Sequence, residues 1–544
     1  MVKKIFPQII VIISVLIAGF SLFHSGLFPT HDGEYHIIRF YEFSKVLNSG
    51  ILYPRWAPDL NNGYGVPLFN FVYPLPNYIA AFLHLFSISF IDGFKISMFV
   101  ALLAGAFGMY YWAKEFFGKV GGIVASVCYT FSPYHFVDIY IRGSIGEVWA
   151  LGLYPWFLFS VTKYKNTKNF LWILISGLLL ALIIFSHNIL ALAFAPFALL
   201  YTFILLFEKR NLLKMLLEIV AIFGLGIGFS AIFWLPAIVE TKYTVGLQVF
   251  GIDSNFPDLF QLLIPSWGSG FFGSSLGNEM SVQIGIANLL AFFIGLTTTI
   301  NLIFKRNKSI SVLIFMIISF FTLLFFMLQI SLPLWKIIPL MNYFQFPWRF
   351  LSLVILITSF LAGSIVTYFK NILFPIIFIL LTISLSFNYT KPAYYMLRND
   401  AYYTSRSNFI DGTNSPGNVF NTIYAKGELK KQDQKIVYLS GGGNIQNILI
   451  TPEAYLFTVN AKAESILGIQ TAYFIGWNAT VDNKNASLKL SEAGKMFLSV
   501  PKGNHSVAIW YSGTAVQIFA TYISYIFALL VLTLGIKNWY SRYK

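Results

Sequence analysis

IFPQIIVIISVLIAGFSLF (residues 5–23) is followed closely by PTHDGEYHIIRFYEFSKVLNSGILYPRWAPDLNNGYGVPLFNFVYPLP (residues 29–76). The first stretch carries no charge and is long enough, as a helix, to cross a hydrocarbon core, which takes roughly 20 apolar residues. The second is polar and rich in turn formers, with His31, Asp32, Glu34 and His36 at its head. The N-terminus resembles a signal peptide, but no small-x-small cleavage site followed by polar sequence occurs. We therefore expect an uncleaved first span opening into a polar loop.

The rest of the chain repeats the first motif. Of its 544 residues 57% are hydrophobic and only 11% charged, against about 25% charged in soluble proteins. Apolar runs near 5–23, 94–112, 119–134, 148–162, 169–185, 189–207, 215–236, 284–304, 310–329, 350–369, 371–388 and 516–535 predict about twelve transmembrane helices. The net charge of +15 does not point to nucleic acid, because the basic residues form small clusters between apolar runs. That is the positive-inside pattern of short cytoplasmic loops. The lone Cys128 lies in an apolar run and excludes an internal disulfide.

With the N-terminus inside, the inside loops hold Lys3 and Lys4, Lys114 and Lys119, Lys163 to Lys168, Lys209 to Lys214, Lys305 to Lys308, Lys370, and Lys537 to Lys544. Segment 74–90 is apolar enough to span, but counting it would move every later cluster outside. It is therefore expected as a helix on the outer face. This topology puts loop 24–93, loop 237–283, segment 389–515 and all seven histidines at or beyond the outer face. Both termini are then cytoplasmic.

Within the first outer loop, Asn48-Ser49-Gly50 is a helix stop, so about 33–48 forms a helix entered from Pro29-Thr30. Asp32 and His36 then share one face, and Arg39 and Glu42 can pair. Prolines and glycines from 54 to 67 impose turns that display Arg55, Trp56 and Tyr64. Two readings stand. Asp32 is a general base or metal ligand, with His31, Glu34 and His36 contacting a divalent ion or phosphate, or the stretch is a solvated loop with a helix-start Asp. Further on, Asp138, Arg142 and Glu147 fall in a loop level with Asp32. Asp138 or Glu147 can act as a second carboxylate sharing a divalent ion with Asp32, or Glu147 merely pairs with Arg142. His187 either binds phosphate or caps a helix turn. Arg349 either snorkels to lipid headgroups or clamps an anion. The Gly/Ser/aromatic run 264–273 can cover a site, or bind glycan by stacking on Trp267.

Residues 389–515 change character. Short alternating segments at 448–450, 454–459, 487–490, 495–500 and 505–511, broken at 441–443, 482–485 and 501–504, predict a β-sandwich or jelly-roll-like unit of roughly seven strands. The expected organisation is a membrane domain (1–388), an extracytoplasmic β-rich domain (389–515), and a final helix with a cytoplasmic tail (516–544). Trp477 and Tyr473 are either sugar-binding or core aromatics.

Several pieces together resemble the GT-C glycosyltransferase superfamily. They are His31-Asp32-Gly33-Glu34-Tyr35-His36, Tyr53-Pro54-Arg55-Trp56, Gly63-Tyr64-Gly65, Arg142-Gly143-Ser144 with Glu147, Ser186-His187-Asn188, and Gln345-Phe346-Pro347-Trp348-Arg349-Phe350. Their order is most similar to the bacterial membrane family named for 6-pyruvoyl-tetrahydropterin synthase-related sequences, with YfhO-like proteins as neighbours. Tyr473-Phe474-Ile475-Gly476-Trp477 resembles the YfhO-like β-domain, with Ile475 where that family has Pro. No His triad suits a pterin-synthase zinc site.

The resemblance implies a GT-C-like fold in the inner membrane and an inverting glycosyltransferase. The donor would be a polyprenyl-phosphate sugar and the acceptor a glycan, lipid or protein of the envelope. It implies Asp32 and Glu147 as catalytic, and His31, Glu34, His36, Arg55, Tyr64, Arg142, His187 and Arg349 as substrate-binding. A divalent Mg or Mn ion would sit on Asp32, Asp138 and Glu147. The competing functions are a flippase of lipid-linked glycans and a non-catalytic envelope scaffold. A flippase would call for mid-span charges, of which there are almost none, and for internal repeats, of which none is detected.

Overall fold

The computed structural model describes the chain except residues 1, 208–210, 247–254, 274–277, 305–309, 406–418, 426–428, 430–433, 492–493 and 544. The basic residues Lys209, Arg210, Lys305, Arg306, Lys308 and Lys544 lie outside the described residues.

The chain is a mostly helical membrane protein with a β-sheet unit inserted before its last helix. Among the described residues, seven helices are long and apolar enough to cross a membrane: Phe6–Phe23, Phe90–Thr130, Asn188–Leu206, Leu212–Phe229, Ile286–Phe304, Pro347–Tyr368 and Ala515–Asn538. An eighth would combine Ser311–Met327 with Gln329–Ile337, which are bent by 86°. Leu171–Ser186 and Leu373–Tyr389 are shorter apolar helices. Each of the expected spans thus coincides with a helix or part of one, while fewer than twelve pass on length and composition.

The long helix Phe90–Thr130 is two helices folded back on each other. Gly118 sits between them at φ 71°, a left-handed conformation that favours glycine. Ser126 donates to the carbonyl of Ala106, 20 residues earlier. In a straight helix those groups would be about 30 Å apart. Helix Leu351–Ala362 is apolar almost all round and buried at every position, as expected for the centre of a bundle. Helix Ala515–Tyr543, by contrast, leaves Phe519, Ile526, Leu529 and Leu532 exposed, a surface suited to lipid.

Helix Gly33–Asn48 occupies its expected range. Leu75–His84 is only 10 residues long, about half what a span requires. Phe82 within it and Leu85 and Phe86 just after it are exposed.

Among the described residues, nine strands form two antiparallel sheets: β1 (Ile436–Ser440), β2 (Gly443–Thr451), β3 (Ala454–Ala461), β4 (Ser465–Ala472), β5 (Trp477–Val481), β6 (Lys484–Ala486), β7 (Lys489–Leu490), β8 (Lys495–Val500) and β9 (Gly503–Tyr511). Their orders are β1-β4-β8-β7 and β2-β3-β9-β5-β6. Asp482 and Asn483 both take positive φ in the β5–β6 hairpin, as a two-residue primed turn requires. The apolar core between the sheets continues into the first loop. Trp56, Tyr64 and Phe71 pack with Tyr455, Phe474 and Trp477 in one cluster. Trp477 stacks on Tyr455 and meets Trp56 edge-on. Trp477 is therefore a core residue here, and Tyr473 is partly buried against the same cluster with its ring meeting Tyr424 edge-on.

Candidate functional site

The site begins with a close approach of two chain segments. The turn Val137–Arg142 is a single π-helical turn ending at Gly143, which takes φ 67°. A side chain at Gly143 would collide with Thr30 and would come within 2.9 Å of the Gly33 nitrogen. With glycine there, the backbone N–H groups of His31 and Asp32 donate to the carbonyls of Ile141 and Arg142, each at 2.9 Å. Asp32 is thereby fixed at the N-terminus of helix Gly33–Asn48, an end that favours negative charge. Its carboxylate is partly exposed, makes no capping hydrogen bond, and forms no ion pair among the described residues.

Directly behind this turn lies a buried ionic cluster centred on Glu147. Arg142 donates two parallel bonds to its carboxylate, at 2.6 and 2.7 Å, and also bonds Asp138. Tyr134 donates at 3.0 Å and Arg349 Nε at 3.1 Å. Glu147 thus accepts four hydrogen bonds, two on each oxygen, which fills its lone-pair capacity. Arg349 is itself held by the Phe344 carbonyl at 2.7 Å and by Gln345 at 3.1 Å, both through Nη1. Its Nη2 has no hydrogen bond among the described residues. The Arg142 guanidinium lies 4.7 Å from the ring centre of Trp348. His187 caps helix Asn188–Leu206 by accepting from the Leu190 nitrogen. Its other nitrogen faces Glu147 at 3.7 Å, so the capping bond places the ring proton on that side.

The candidates from the sequence thus divide. Asp138, Arg142, Glu147, His187 and Arg349 meet in one cluster, with His31 and Asp32 tied beside it through the backbone. His36 is buried near the ring of Tyr73, which in turn lies 5.1 Å from His187. His31 Nε2 donates to the Ser269 carbonyl at 2.9 Å, and the ring stacks on Phe271 at 4.3 Å. Burial holds the His31 imidazole below its usual pKa, partly offset by the Ser269 bond and the Asp32 charge. The 264–273 segment therefore covers the His31 side of the site, although the face of Trp267 is taken by Tyr389.

Three candidates lie elsewhere. Glu34 pairs with Arg398 at 3.4 Å. Arg55 is buried, bonded to Asn70 and to the Ile232 carbonyl. Tyr64 is buried and donates to Gln470 on β4 at 2.6 Å. The turns that were expected to display Arg55 and Tyr64 instead fold both inward against the β-domain and its flanking helices. The expected metal set of Asp32, Asp138 and Glu147 does not fit either. Among the described residues no three His, Cys, Asp or Glu side chains gather to hold an ion, and the lone pairs of Glu147 are filled by guanidinium and phenol donors. Glu147 is thus suited to orienting two arginines rather than to proton transfer.

Tyr134 and Tyr73 were not among the sequence candidates. Tyr134 lies in the Ser132-Pro133-Tyr134-His135 run, whose proximity to Asp138 was its only sequence signal.

Known proteins give several likenesses. The Archaeoglobus fulgidus oligosaccharyltransferase structure is 15% identical, with 76% of this chain and 58% of that chain covered and a TM-score of 0.42. The mycobacterial arabinofuranosyltransferase AftD is 14% identical, covering 70% of this chain and 26% of that one, also at 0.42. An uncharacterised protein of Lactococcus lactis subsp. cremoris is 24% identical over 246 residues, 43% of this chain, and the match spans 39% of that relative. A family model matches residues 69–390, a range that takes in the Glu147 cluster and begins after Asp32. The chain belongs to the 6-pyruvoyl-tetrahydropterin synthase related family of membrane proteins.

Proposed function

We propose that the protein is a membrane glycosyltransferase. It would move a sugar from a polyprenyl-phosphate donor to an envelope glycan, lipid or protein, on the outer face of the inner membrane. The observation that carries this reading is the pairing of one free carboxylate, Asp32, with an adjacent ionic cluster whose other carboxylates face arginine. Asp32 takes the proton of the acceptor hydroxyl as its oxygen attacks the anomeric carbon. The bond from that carbon to the phosphate oxygen breaks, and the electron pair leaves with the polyprenyl phosphate. Attack opposite the leaving group inverts the configuration. Arg349 Nη2 meets the departing phosphate, and Glu147, Gln345 and the Phe344 carbonyl hold the guanidinium in place. Preorganised donors of this kind stabilise developing charge without reorganising.

The test uses full-length protein in lipid nanodiscs with labelled polyprenyl-phosphate sugars and envelope acceptors. Asp32→Asn should lower transfer by about 10²- to 10⁴-fold, the range for loss of a general base. Its unfolding temperature should stay close to wild type, because the carboxylate makes no hydrogen bond among the described residues and the charge at the helix end contributes only about 0.3–1 kcal/mol. Full transfer by the variant would remove Asp32 from the reaction. Lipid translocation without transfer would favour a flippase.

A further inference from the structure

Away from the Glu147 cluster, a cavity of about 330 Å³ opens where the first loop meets the β-domain. One wall is Lys45, Asp59 and Asn62 from the first loop, and the other is Gln434, Lys435 and Gln470 from the sheet side. Junctions of this kind are favoured ligand sites, and the size falls in the usual range for small ligands.

The charges in the cavity are unevenly satisfied. Lys45 pairs with Asp59 at 2.5 Å, so these two cancel. Lys435 bonds only the Gly63 carbonyl, at 2.5 Å, and has no ion pair among the described residues. Its ammonium lies 5.5 Å from the centre of the Tyr455 ring. Burial pushes Lys435 down to about 8, with Lys45 lowering it further and Asp59 and Glu42 opposing the shift. A partly buried ammonium without a counter-ion is unfavourable unless an anion joins it.

Around that ammonium stand uncharged polar groups. Gln470 is buried and accepts from Tyr64, which leaves its amide NH₂ without a partner among the described residues. Asn62 donates to the Leu429 carbonyl, and its oxygen has no partner among the described residues. Amides supply donors and acceptors side by side, the pairing that vicinal hydroxyls need. Among the described lining residues Lys435 is the cation without an ion pair, which suits a single anionic group rather than a polyanion, and the volume exceeds that of a bare ion.

We propose that this cleft binds one acidic sugar unit of the acceptor, its carboxylate or phosphate against Lys435 and its hydroxyls against Asn62, Gln434 and Gln470. Only the ligand's role as acceptor rests on the transferase reading, and binding is measured without transfer, so the two can fail separately.

The experiment is calorimetric titration of the full-length protein in detergent with four probes. These are a glucuronic-acid disaccharide, a phosphorylated disaccharide, a neutral glucose disaccharide and inorganic phosphate. An acidic disaccharide should bind at least 10-fold more tightly than the neutral one and than phosphate, and whichever acidic probe binds best identifies the anion. Lys435→Gln, which can still bond Gly63, should weaken that probe by 10-fold or more, and Gln470→Ala should weaken the acidic and neutral probes alike. Raising the pH from 7 to 9 on wild-type protein should weaken acidic binding about 10-fold as Lys435 loses its proton. Lys45 stays charged over that range, because its hydrogen bond to Asp59 holds it above its usual value. The pH series reads the same group even where Lys435→Gln does not fold. Equal affinity for neutral and acidic disaccharides, phosphate binding as tightly as either acidic sugar, or indifference to both Lys435→Gln and pH would overturn the proposal.

Discussion

Replacing Glu147 by Gln tests whether the cluster is a closed ionic unit. In the wild type two guanidinium groups, Arg142 and Arg349, face two carboxylates, Asp138 and Glu147. The amide removes one negative charge and turns one oxygen into a donor. Placed at Oε1, that donor would meet Arg142 Nη2 and Arg349 Nε, neither of which can accept. Placed at Oε2, it would meet Arg142 Nη1 and Tyr134, and only the phenol can rotate to accept. The second placement is less bad and still leaves one guanidinium bond broken. Removing one partner of a buried ion pair costs about 3–5 kcal/mol. We expect Glu147→Gln to lose that much stability in a denaturant titration of the detergent-solubilised protein. Arg349→Met restores the charge balance, so the double variant should be more stable than the sum of single losses by about 1–3 kcal/mol, the usual coupling for residues in one network. A Glu147→Gln protein within about 0.5 kcal/mol of wild type, the scatter of neutral surface changes, would refute the closed cluster.

Two further outcomes follow from backbone and titration. Gly143→Ala forces a side chain against Thr30 at positive φ, so we expect a loss of about 1–3 kcal/mol, with transfer falling further than stability because Asp32 is displaced; unchanged transfer would show that the 30–33 and 141–143 contact does not position the site. Glu453 is pushed up to about 7, chiefly by burial, with the backbone N–H groups of Arg55 and Trp56 opposing. Its folded value exceeds its unfolded one, so its contribution is fully present below about 4.5 and is lost as pH rises through 7. Glu453→Gln should therefore flatten the decline in unfolding temperature between pH 5 and pH 8, by up to about 3 kcal/mol at 1.36 per pKa unit.

How much of this was legible depended on whether the signal was local. Helix Gly33–Asn48 could be read from Thr30 and Asn48-Ser49-Gly50, since caps and stops act within one turn. The Arg142–Glu147 pair was visible as a five-residue spacing. The approach of Arg349 to Glu147 was not, because it links residues 202 positions apart. The inward turn of Tyr64 escaped for the same reason, since its partner Gln470 lies 406 residues away. Strand β4 was missed on different grounds. SILGIQTA is buried at all but one position, so it lacks the alternation that marks a half-exposed strand. Strand β9 shows alternation over much of its length and was found.

The balance of charge in the cluster bears on how a phosphate could be handled beside it. Arg142 and Arg349 cancel Asp138 and Glu147, so the cluster offers an anionic donor no excess positive charge, and Asp32 adds a negative one. On the proposed reading, the donor phosphodiester brings one negative charge and the leaving phosphate monoester carries two. Asp32 loses its charge in the same step by accepting the acceptor's proton. The total is unchanged, and one negative charge moves from the carboxylate to the phosphate. A site that must only relocate charge gains from fixed, oriented donors more than from a surplus of cations. The four bonds on Glu147 supply that fixity. They hold Arg142 beneath the turn that anchors Asp32, and they hold Arg349 with Nη2 uncommitted among the described residues, so the proposed base and the proposed phosphate-facing group would share one rigid mount.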